Sequence, residues 1–360
     1  MVTILGGGIA GTVLGGALAH REHPVTVYER QPAPGAGAFM VLDGYAQQAL
    51  TELGVPTEPL EAVSHPMPGG FGFHYLPAGR NAAPSRGHRL YPRGDLMRVL
   101  TEFAASAGTD IRYGHTATDI DTDTGTLWGT DGVLAADELI IAADGIDSLA
   151  RARLEPARTA AYAGQVVIYG TTTRPVPLND DPTVMHFHGT LGDGPLPVAS
   201  FGHLRTDNTA YWFTRVTRDP ISVDDIGAHP VDAWADTIHA ADPSAAGLIG
   251  ALLEATDTVH VANCRNVPLH NARRPAGRVL LCGDADHAVS PAAARGAREA
   301  IEDALALTTA LTTGTSPAEA MAARRIELTA EREKQARIYA TAMPQPTERS
   351  DDDEEPDGTE

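Results

Sequence analysis

The chain has 360 residues, 42% of them hydrophobic, enough to bury a sizeable core in two or three domains or in one composite domain with an insertion. Its formal charge of −20 argues against nucleic acid, whose phosphates call for Lys and Arg, and no run of about 18 apolar residues offers a membrane span. Val2-Thr3-Ile4-Leu5 runs straight into glycines without a signal-peptide pattern, so a cytoplasmic protein is expected, with Cys264 and Cys282 as reduced buried thiols.

In chain order, Val2–Leu5 reads as a buried strand. Residues 9–20 mix small and apolar side chains, as in a helix packed closely on a sheet, and Pro24 stops them. Val25-Thr26-Val27-Tyr28 is a second strand. Strand, glycine loop, helix and strand within about 30 residues form the βαβ unit of a dinucleotide fold. A Gly/Pro-rich loop covers 31–44, a helix spans 44–53 and ends at Gly54, and a broken stretch from Pro56 to Arg86 holds one strand-like piece, Phe71–Leu76. A helix from about Gly94 to Ala107 precedes short strands over 110–142, the last being Leu139-Ile140-Ile141-Ala142. The character then changes. Gln165–Thr173, Thr183–His188, Val198–His203 and Thr209–Thr217 are strand-like and suggest an antiparallel sheet. A helical stretch covers about 230–254, Val279-Leu280-Leu281-Cys282 is a buried strand, and helices follow over 295–313 and from about Pro317 to Ala342. The run Asp351-Asp352-Asp353-Glu354-Glu355 repels itself and buries nothing, so residues 344–360 are expected to be a disordered acidic tail.

Three motifs carry the chemistry. In Gly6-Gly7-Gly8-Ile9-Ala10-Gly11, one glycine permits a tight turn, one lets the backbone approach a pyrophosphate, and one lets helix and strand pack closely. The helix that follows offers free N–H groups and a positive dipole end to phosphates. Glu29 closes the second strand 18 residues after Gly11, where a carboxylate accepts from a ribose 2′-hydroxyl and repels a 2′-phosphate. That suits FAD or NAD rather than NADP. The second motif is Ala143-Asp144-Gly145-Ile146-Asp147-Ser148 with Arg151. The third is Cys282-Gly283-Asp284-Ala285-Asp286-His287 with Pro291.

With these motifs the chain resembles the FAD-dependent aromatic-ring monooxygenases, the group that contains p-hydroxybenzoate and salicylate hydroxylases. The resemblance runs from residue 1 to about 340 and is most specific over Gly283–Pro291 and Gly296–Ala304. Glu29-Arg30, the Gly35-Ala36-Gly37 loop and Arg93-Gly94-Asp95-Leu96 also match. The resemblance implies an α/β fold: a Rossmann-like FAD-binding domain with an inserted antiparallel substrate sheet and C-terminal helices. Residues 1–70, 90–158 and 258–343 would form the composite FAD domain, and 71–89 with 159–257 the substrate domain. It implies that Gly6, Gly8 and Gly11, with Ile9 and Ala10, hold the pyrophosphate and Glu29 the adenosine ribose. Arg30, Gly37 and Arg93 would lie along the cofactor, Gly283 and Asp284 at the ribityl chain or a phosphate-linked hydroxyl, and Asp144-Gly145 near the pyrophosphate. Pro291, Arg295, Gly296 and Ala297 would lie where a helix opens toward the flavin N1/O2 edge. It further implies transient NAD(P)H, O2 addition at flavin C4a and transfer of one oxygen atom to a small aromatic, polycyclic or enolisable substrate.

The chain departs from that pattern in places. Ala294 replaces a usual glycine and is strained if the position needs a positive φ. Arg295 either adds charge beside the flavin or points to solvent. Asp286 replaces a usual alanine, and Ile168-Tyr169-Gly170 a frequent Trp-Arg-Gly. On the substrate side, His186 and His188 share one face of a strand, as general bases or as structural histidines. Tyr169, Trp212, Phe213, Arg215 and His74 are further pocket candidates, of which Trp212 and Phe213 point to opposite faces. No metal site is expected, because His186 and His188 suggest no third ligand. The Glu299/Glu302/Asp303 cluster reads as a solvated helix face, with Asp303 a possible support for the third motif, and the charges of the last helix read as surface pairs. The single lysine, Lys334, leaves little scope for Schiff-base chemistry. The alternatives to a monooxygenase are a flavin-dependent dehydrogenase or reductase on the same fold, or a non-turnover FAD-binding protein.

Overall fold

Val2–Leu5 is buried along its whole length because it is the central strand of a five-stranded parallel sheet. The computed structural model describes residues 1–35, 37–76, 79–190, 199–291 and 294–342; the acidic tail and Ala36 lie outside the described residues. The spatial order is Val279–Leu281, Leu139–Ala142, Val2–Leu5, Val25–Glu29, Asp110–Tyr113, each pair parallel. Strands from both ends and the middle of the chain therefore lie side by side. Because all five run the same way, Gly6, Glu29, Asp144 and Gly283-Asp284 emerge at one carboxyl edge. Ligands of open α/β sheets bind at such an edge.

Helices Ile9–His20, Arg93–Ser106 and Gly296–Thr313 share one core on this sheet, built from residues such as Val13, Leu14, Leu100, Phe103, Ile301 and Leu307. The helix Gly44–Leu53 stops at Gly54 in a left-handed cap, at φ 101°.

The second large sheet has eight strands, in the order Gly227–Pro230, Thr258–Asn266, Ala161–Thr171, Ala210–Thr217, Ala199–Arg205, Val184–Thr190, Gly70–Leu76, Gly79–Ala83. Two features differ from the sequence reading. Thr258–Asn266, expected in the FAD domain, runs inside this sheet. Gly70–Leu76 joins Val184–Thr190 in parallel, so the sheet is mixed rather than purely antiparallel. The early strand is separated from its neighbour by a long connection, which removes the need for a hairpin and permits the parallel arrangement.

Alternation along these strands separates two faces. One buries Val166, Ile168, Phe201, Trp212 and Val261 against Ile238, Ile249 and Leu252 of the helices Ala235–His239 and Ala246–Glu254. The helical stretch 230–254 is thus built of short pieces. The other face sets Met185 and Leu204 on Met67 and Leu90, beside Phe39 and Val41. Those partners belong to a three-stranded sheet of Phe39–Leu42, Arg89–Pro92 and His65–Pro66, which turns this face toward the nucleotide-binding part. Among the described residues, no helix is long and apolar enough to cross a membrane. Cys264 and Cys282 are both free and buried.

Candidate cofactor cleft and substrate face

The first glycine loop admits no side chain at two positions. Gly6 has φ 105° and a Cβ there would stand 2.3 Å from the Ala143 carbonyl oxygen; one on Gly11 would stand 1.9 Å from the Gly6 oxygen. Gly8, by contrast, faces open space at the start of the helix that Ile9 and Ala10 begin. A phosphate can therefore approach the backbone there without displacing a side chain. Glu29 is fixed beside the loop. Its Oε2 accepts from Gly7 N at 2.6 Å and its Oε1 from Gln31 N at 2.7 Å. Each oxygen keeps a second lone pair for a ribose hydroxyl. Arg30 is exposed at the same edge.

Arg93 opens the helix Arg93–Ser106 and folds the glycine-rich loop over itself. Its Nη1 donates to the Gly35 oxygen at 2.8 Å, its backbone N donates to the Ala38 oxygen at 2.8 Å, and its side chain packs under Gly37.

In the second motif, Asp144 Oδ2 accepts from Leu149 N at 2.8 Å and from Ala150 N at 3.4 Å, the first turn of the helix Leu149–Leu154. Its Oδ1 is buried without a hydrogen-bond partner among the described residues. Burial pushes this carboxyl above the usual range. Gly145 follows with φ 81°.

In the third motif, Asp303 Oδ2 accepts from Gly283 N at 3.0 Å and pairs with His287 Nε2 at 2.6 Å. The Asp284 side chain opens onto the cleft, while protein crowding behind it raises its pKa. Its Oδ1 lies 3.7 Å from where a Cβ on Gly296 would stand, so it faces the start of the helix that Gly296 and Ala297 open. Pro291 is exposed and its carbonyl accepts from Ala294 N at 3.0 Å. Ala294 holds φ 49°, in the left-handed region that the missing glycine would occupy without strain.

Several charges sit elsewhere than the sequence suggested. Arg295 does not simply point to solvent: it is mostly buried and pairs with Glu299 and Glu331. Glu299 and Asp303 are fully buried rather than solvated. They hold His287 between them and receive Arg332 and Arg324 from the last helix. That helix is therefore no mere surface element. Asp286 is explained by long-range partners: it is fully buried and bonded to Arg158 and Arg325, the latter at 2.6 and 2.7 Å. Those guanidiniums outweigh burial and hold its carboxyl below the usual range.

The substrate-side candidates divide between the two faces of the large sheet. Tyr169, Phe213 and Arg215 lie on the face turned toward the nucleotide part. Tyr169 is half-buried; burial raises its pKa, and its neighbours are the Ala38 backbone and Arg93. Arg215 is buried near Cys264, which neighbours Ser290 in the third-motif loop. His186 and His188 share a face as expected, but it is the opposite one. They form a cluster with His74 and His203, ring centroids 4.7 to 5.4 Å apart, on the side that carries Trp212 and Phe201. They do not meet Tyr169. His74 goes with them, and Trp212 is buried in the helix-covered core. The sequence reading missed His260, stacked on Tyr169 at 5.0 Å. The alternation of Val259, His260 and Val261 carried that signal. Among the described residues, no His, Cys, Asp and Glu group has the geometry to hold a metal ion.

The observed geometry fits a flavin dinucleotide. The glycine loop is open at Gly8, Glu29 is poised at the second strand, and Asp144 and Asp284 present a buried unpartnered oxygen and an open carboxylate to the same edge. A family model described as an FAD binding domain matches residues 1–341. The chain is 28% identical over 320 residues to 6-hydroxynicotinate 3-monooxygenase of Bordetella bronchiseptica, covering 85% of this chain and 81% of that protein. Among solved structures it resembles 2,6-dihydroxypyridine-3-hydroxylase from Arthrobacter nicotinovorans, with a TM-score of 0.75 at 19% identity, over 97% of this chain and 95% of that one. It also resembles Klebsiella pneumoniae HpxO complexed with FAD and uric acid, with a TM-score of 0.70 at 21% identity, over 94% and 88%.

Proposed function

We propose that this chain, which belongs to the FAD-dependent aromatic-ring monooxygenases, oxidises NADH or NADPH and inserts one oxygen atom of O2 into a small planar aromatic or enolisable molecule. The observation that supports it most is the convergence of three distant motifs on one edge of a parallel sheet, beneath a sheet face carrying Tyr169, Phe213 and Arg215. When bound, FAD supplies the redox chemistry, accepting a hydride equivalent and activating O2. The chain's own groups bind and orient. The backbone of Gly6–Gly11 would hold the pyrophosphate and Glu29 the ribose, with Asp144 and Asp284 taking further hydroxyl or phosphate-linked contacts. The start of the helix Gly296–Thr313 would set its N–H groups toward negative charge on the flavin.

Tyr169 is the protonated group best placed to orient a substrate hydroxyl. Its raised pKa keeps it a donor at neutral pH, and it stands where the substrate face meets Ala38 and Arg93. His186 and His188 have no part in this proposal, because the sheet lies between them and the cleft. The test is simultaneous measurement of NAD(P)H and O2 consumption by the FAD-loaded protein, with peroxide assayed, across hydroxylated aromatic acids. Ligand-stimulated consumption with little peroxide supports the reading. Turnover under nitrogen with a dye acceptor, and only peroxide in air, would replace it with a dehydrogenase.

A further inference from the structure

The turn Asp284–His287 stands at the carboxyl edge of the parallel sheet, just after the strand Val279–Leu281. It carries one exposed residue among buried ones. Asp284 opens onto the cleft, whereas Gly283 and residues 285–288 are buried. Asp286 N and His287 N both donate to the Gly283 oxygen at 2.9 Å, which closes a single tight turn. A helix this short leaves its last carbonyls without internal partners, and buried carbonyls need partners.

Those partners come from distant parts of the chain. Arg151 Nη1 donates to the Ala285 oxygen at 2.8 Å, Arg158 Nη1 to the Asp286 oxygen, and Arg332 Nη2 to the His287 oxygen at 2.6 Å. The side chains are gripped as well. Asp286 Oδ2 accepts from Arg325 Nε at 2.7 Å, and its Oδ1 from Arg325 Nη2 at 2.6 Å and Arg158 Nη2 at 2.7 Å. His287 lies between Asp303 and Glu299, and Glu299 receives the same Arg332. Arg325 and Arg332 both belong to the last helix, Pro317–Ala342, 39 and 45 residues beyond the groups they hold. Asp284 has no such support of its own: its carboxylate accepts no hydrogen bond from the described residues. Its direction is set by the backbone it grows from, and arginines hold that backbone from behind.

We propose that Arg325 and Arg332 are positioning residues for the cofactor. Acting through Asp286 and the His287 carbonyl, they hold the turn that aims Asp284 at FAD, so that docking of the last helix and binding of FAD stabilise each other. The coupling is reciprocal: what the docked helix adds to FAD affinity, bound FAD returns to helix docking. Asp286, where an alanine is usual, then has a use, because an alanine would leave Arg325 without its bidentate partner. This holds whatever the loaded enzyme oxidises, so it does not rest on the monooxygenase reading.

The experiment measures FAD dissociation constants of the apoprotein by flavin fluorescence, thermal melting of the apoprotein, and amide hydrogen exchange of the last helix with and without FAD. Arg332→Gln should weaken FAD about tenfold, and Asp284→Ala about as much. In the Asp284→Ala background, Arg332→Gln should cost less than about twofold in FAD affinity, because the side chain it aims is gone. Its effect on the melting temperature should be the same in both backgrounds, since the buried carbonyl it abandons is unchanged. Arg325→Lys, which cannot keep both contacts to Asp286, is the milder variant, with an expected loss of about threefold and the same cancellation. Saturating FAD should slow exchange over 317–334 at least about threefold more than over the helix Ala246–Glu254 of the far sheet. Equal FAD losses with and without Asp284, a lower melting temperature at unchanged FAD affinity, or equal protection of the two helices would each overturn the proposal. So would an Asp284→Ala variant that binds FAD as tightly as wild type. If neither arginine variant folds, the exchange comparison, which needs no variant, decides alone.

Discussion

Arg151 Nη1, in the second motif, donates to the carbonyl of Ala285, in the third, at 2.8 Å. The same guanidinium donates to the Ile146 oxygen at 2.5 Å and the Arg158 oxygen at 2.9 Å. It is 4% exposed, so none of these carbonyls has water as a ready substitute. The loops after two neighbouring parallel strands are thus locked together by one side chain. Arg151→Lys keeps the charge but cannot span three carbonyls in different directions. The expected loss is roughly 2–4 kcal/mol of stability and about tenfold in FAD affinity. Urea unfolding and titration of the apoprotein with FAD check both, and a lysine variant equal to wild type in both would refute the lock.

His287 gives a pH dependence of definite sign. Burial opposes its charge, but Asp303 at 2.6 Å and then Glu299 reverse the effect and raise its pKa from the ordinary 6.5 to about 10. Glu299, which burial alone would push up, is drawn down to about 2 by His287 and Arg332. A histidine with a raised folded pKa contributes fully below pH 6.5, and its contribution fades as pH rises through about 10. The stability advantage of wild type over His287→Gln should therefore be largest near pH 6 and shrink by pH 10. Denaturant unfolding at pH 6, 8 and 10 measures it; a constant offset would contradict the assignment of the charge to His287.

The edge of the cofactor cleft was legible because glycine spacing, strand endings and Glu29 are local signals. Gly6, Gly8 and Gly11 follow directly from one strand and one helix, and alternation alone put Trp212 and Phe213 on opposite faces. Which face meets the cofactor was not legible. That depends on Phe39, Leu90 and Met67 packing against Met185 and Leu204, contacts between segments distant in sequence. His186 and His188 were therefore correctly paired with each other and assigned to the wrong side. Charges suffered in the same way. Glu299 and Arg325 read as surface residues in a one-dimensional pattern, and Asp286 only as a departure from a usual alanine, because the arginines that satisfy buried carboxylates arrive from other helices.

The histidine cluster on the far face should make the protein acid-sensitive. His188 pairs with His74 and His186 with His203 across strands, and Asp180, itself held by Arg205, bonds His203 at 2.6 Å. Burial first, then the neighbouring imidazoles, push His188 down to about 3 and His186 below its ordinary value. A lowered histidine pKa stabilises the neutral state: the contribution is present above pH 6.5 and lost as pH falls toward about 3. His188→Phe keeps a flat ring on His74 and removes one protonation site. Its melting temperature should fall a few degrees less than that of wild type between pH 6.5 and 4. An unchanged acid slope would show that other groups drive the transition.

Ala294 offers the opposite kind of test, in which a change should help. Its φ of 49° requires a left-handed backbone immediately before the helix Gly296–Thr313. For an L-residue with a Cβ that conformation costs about 1–2 kcal/mol, and glycine adopts it freely. Glycine also gains entropy in the unfolded chain, which offsets part of the relief. Ala294→Gly is therefore expected to stabilise the protein by roughly 0.5–1 kcal/mol and raise the melting temperature by about 2 °C. Ala294→Val should act in the other direction, since a β-branched side chain tolerates positive φ less well than alanine. The pair separates backbone strain from side-chain contact: Ala294 is exposed, so loss of packing predicts little change from either substitution. If strain is stored here, the two melting temperatures move apart in the stated order.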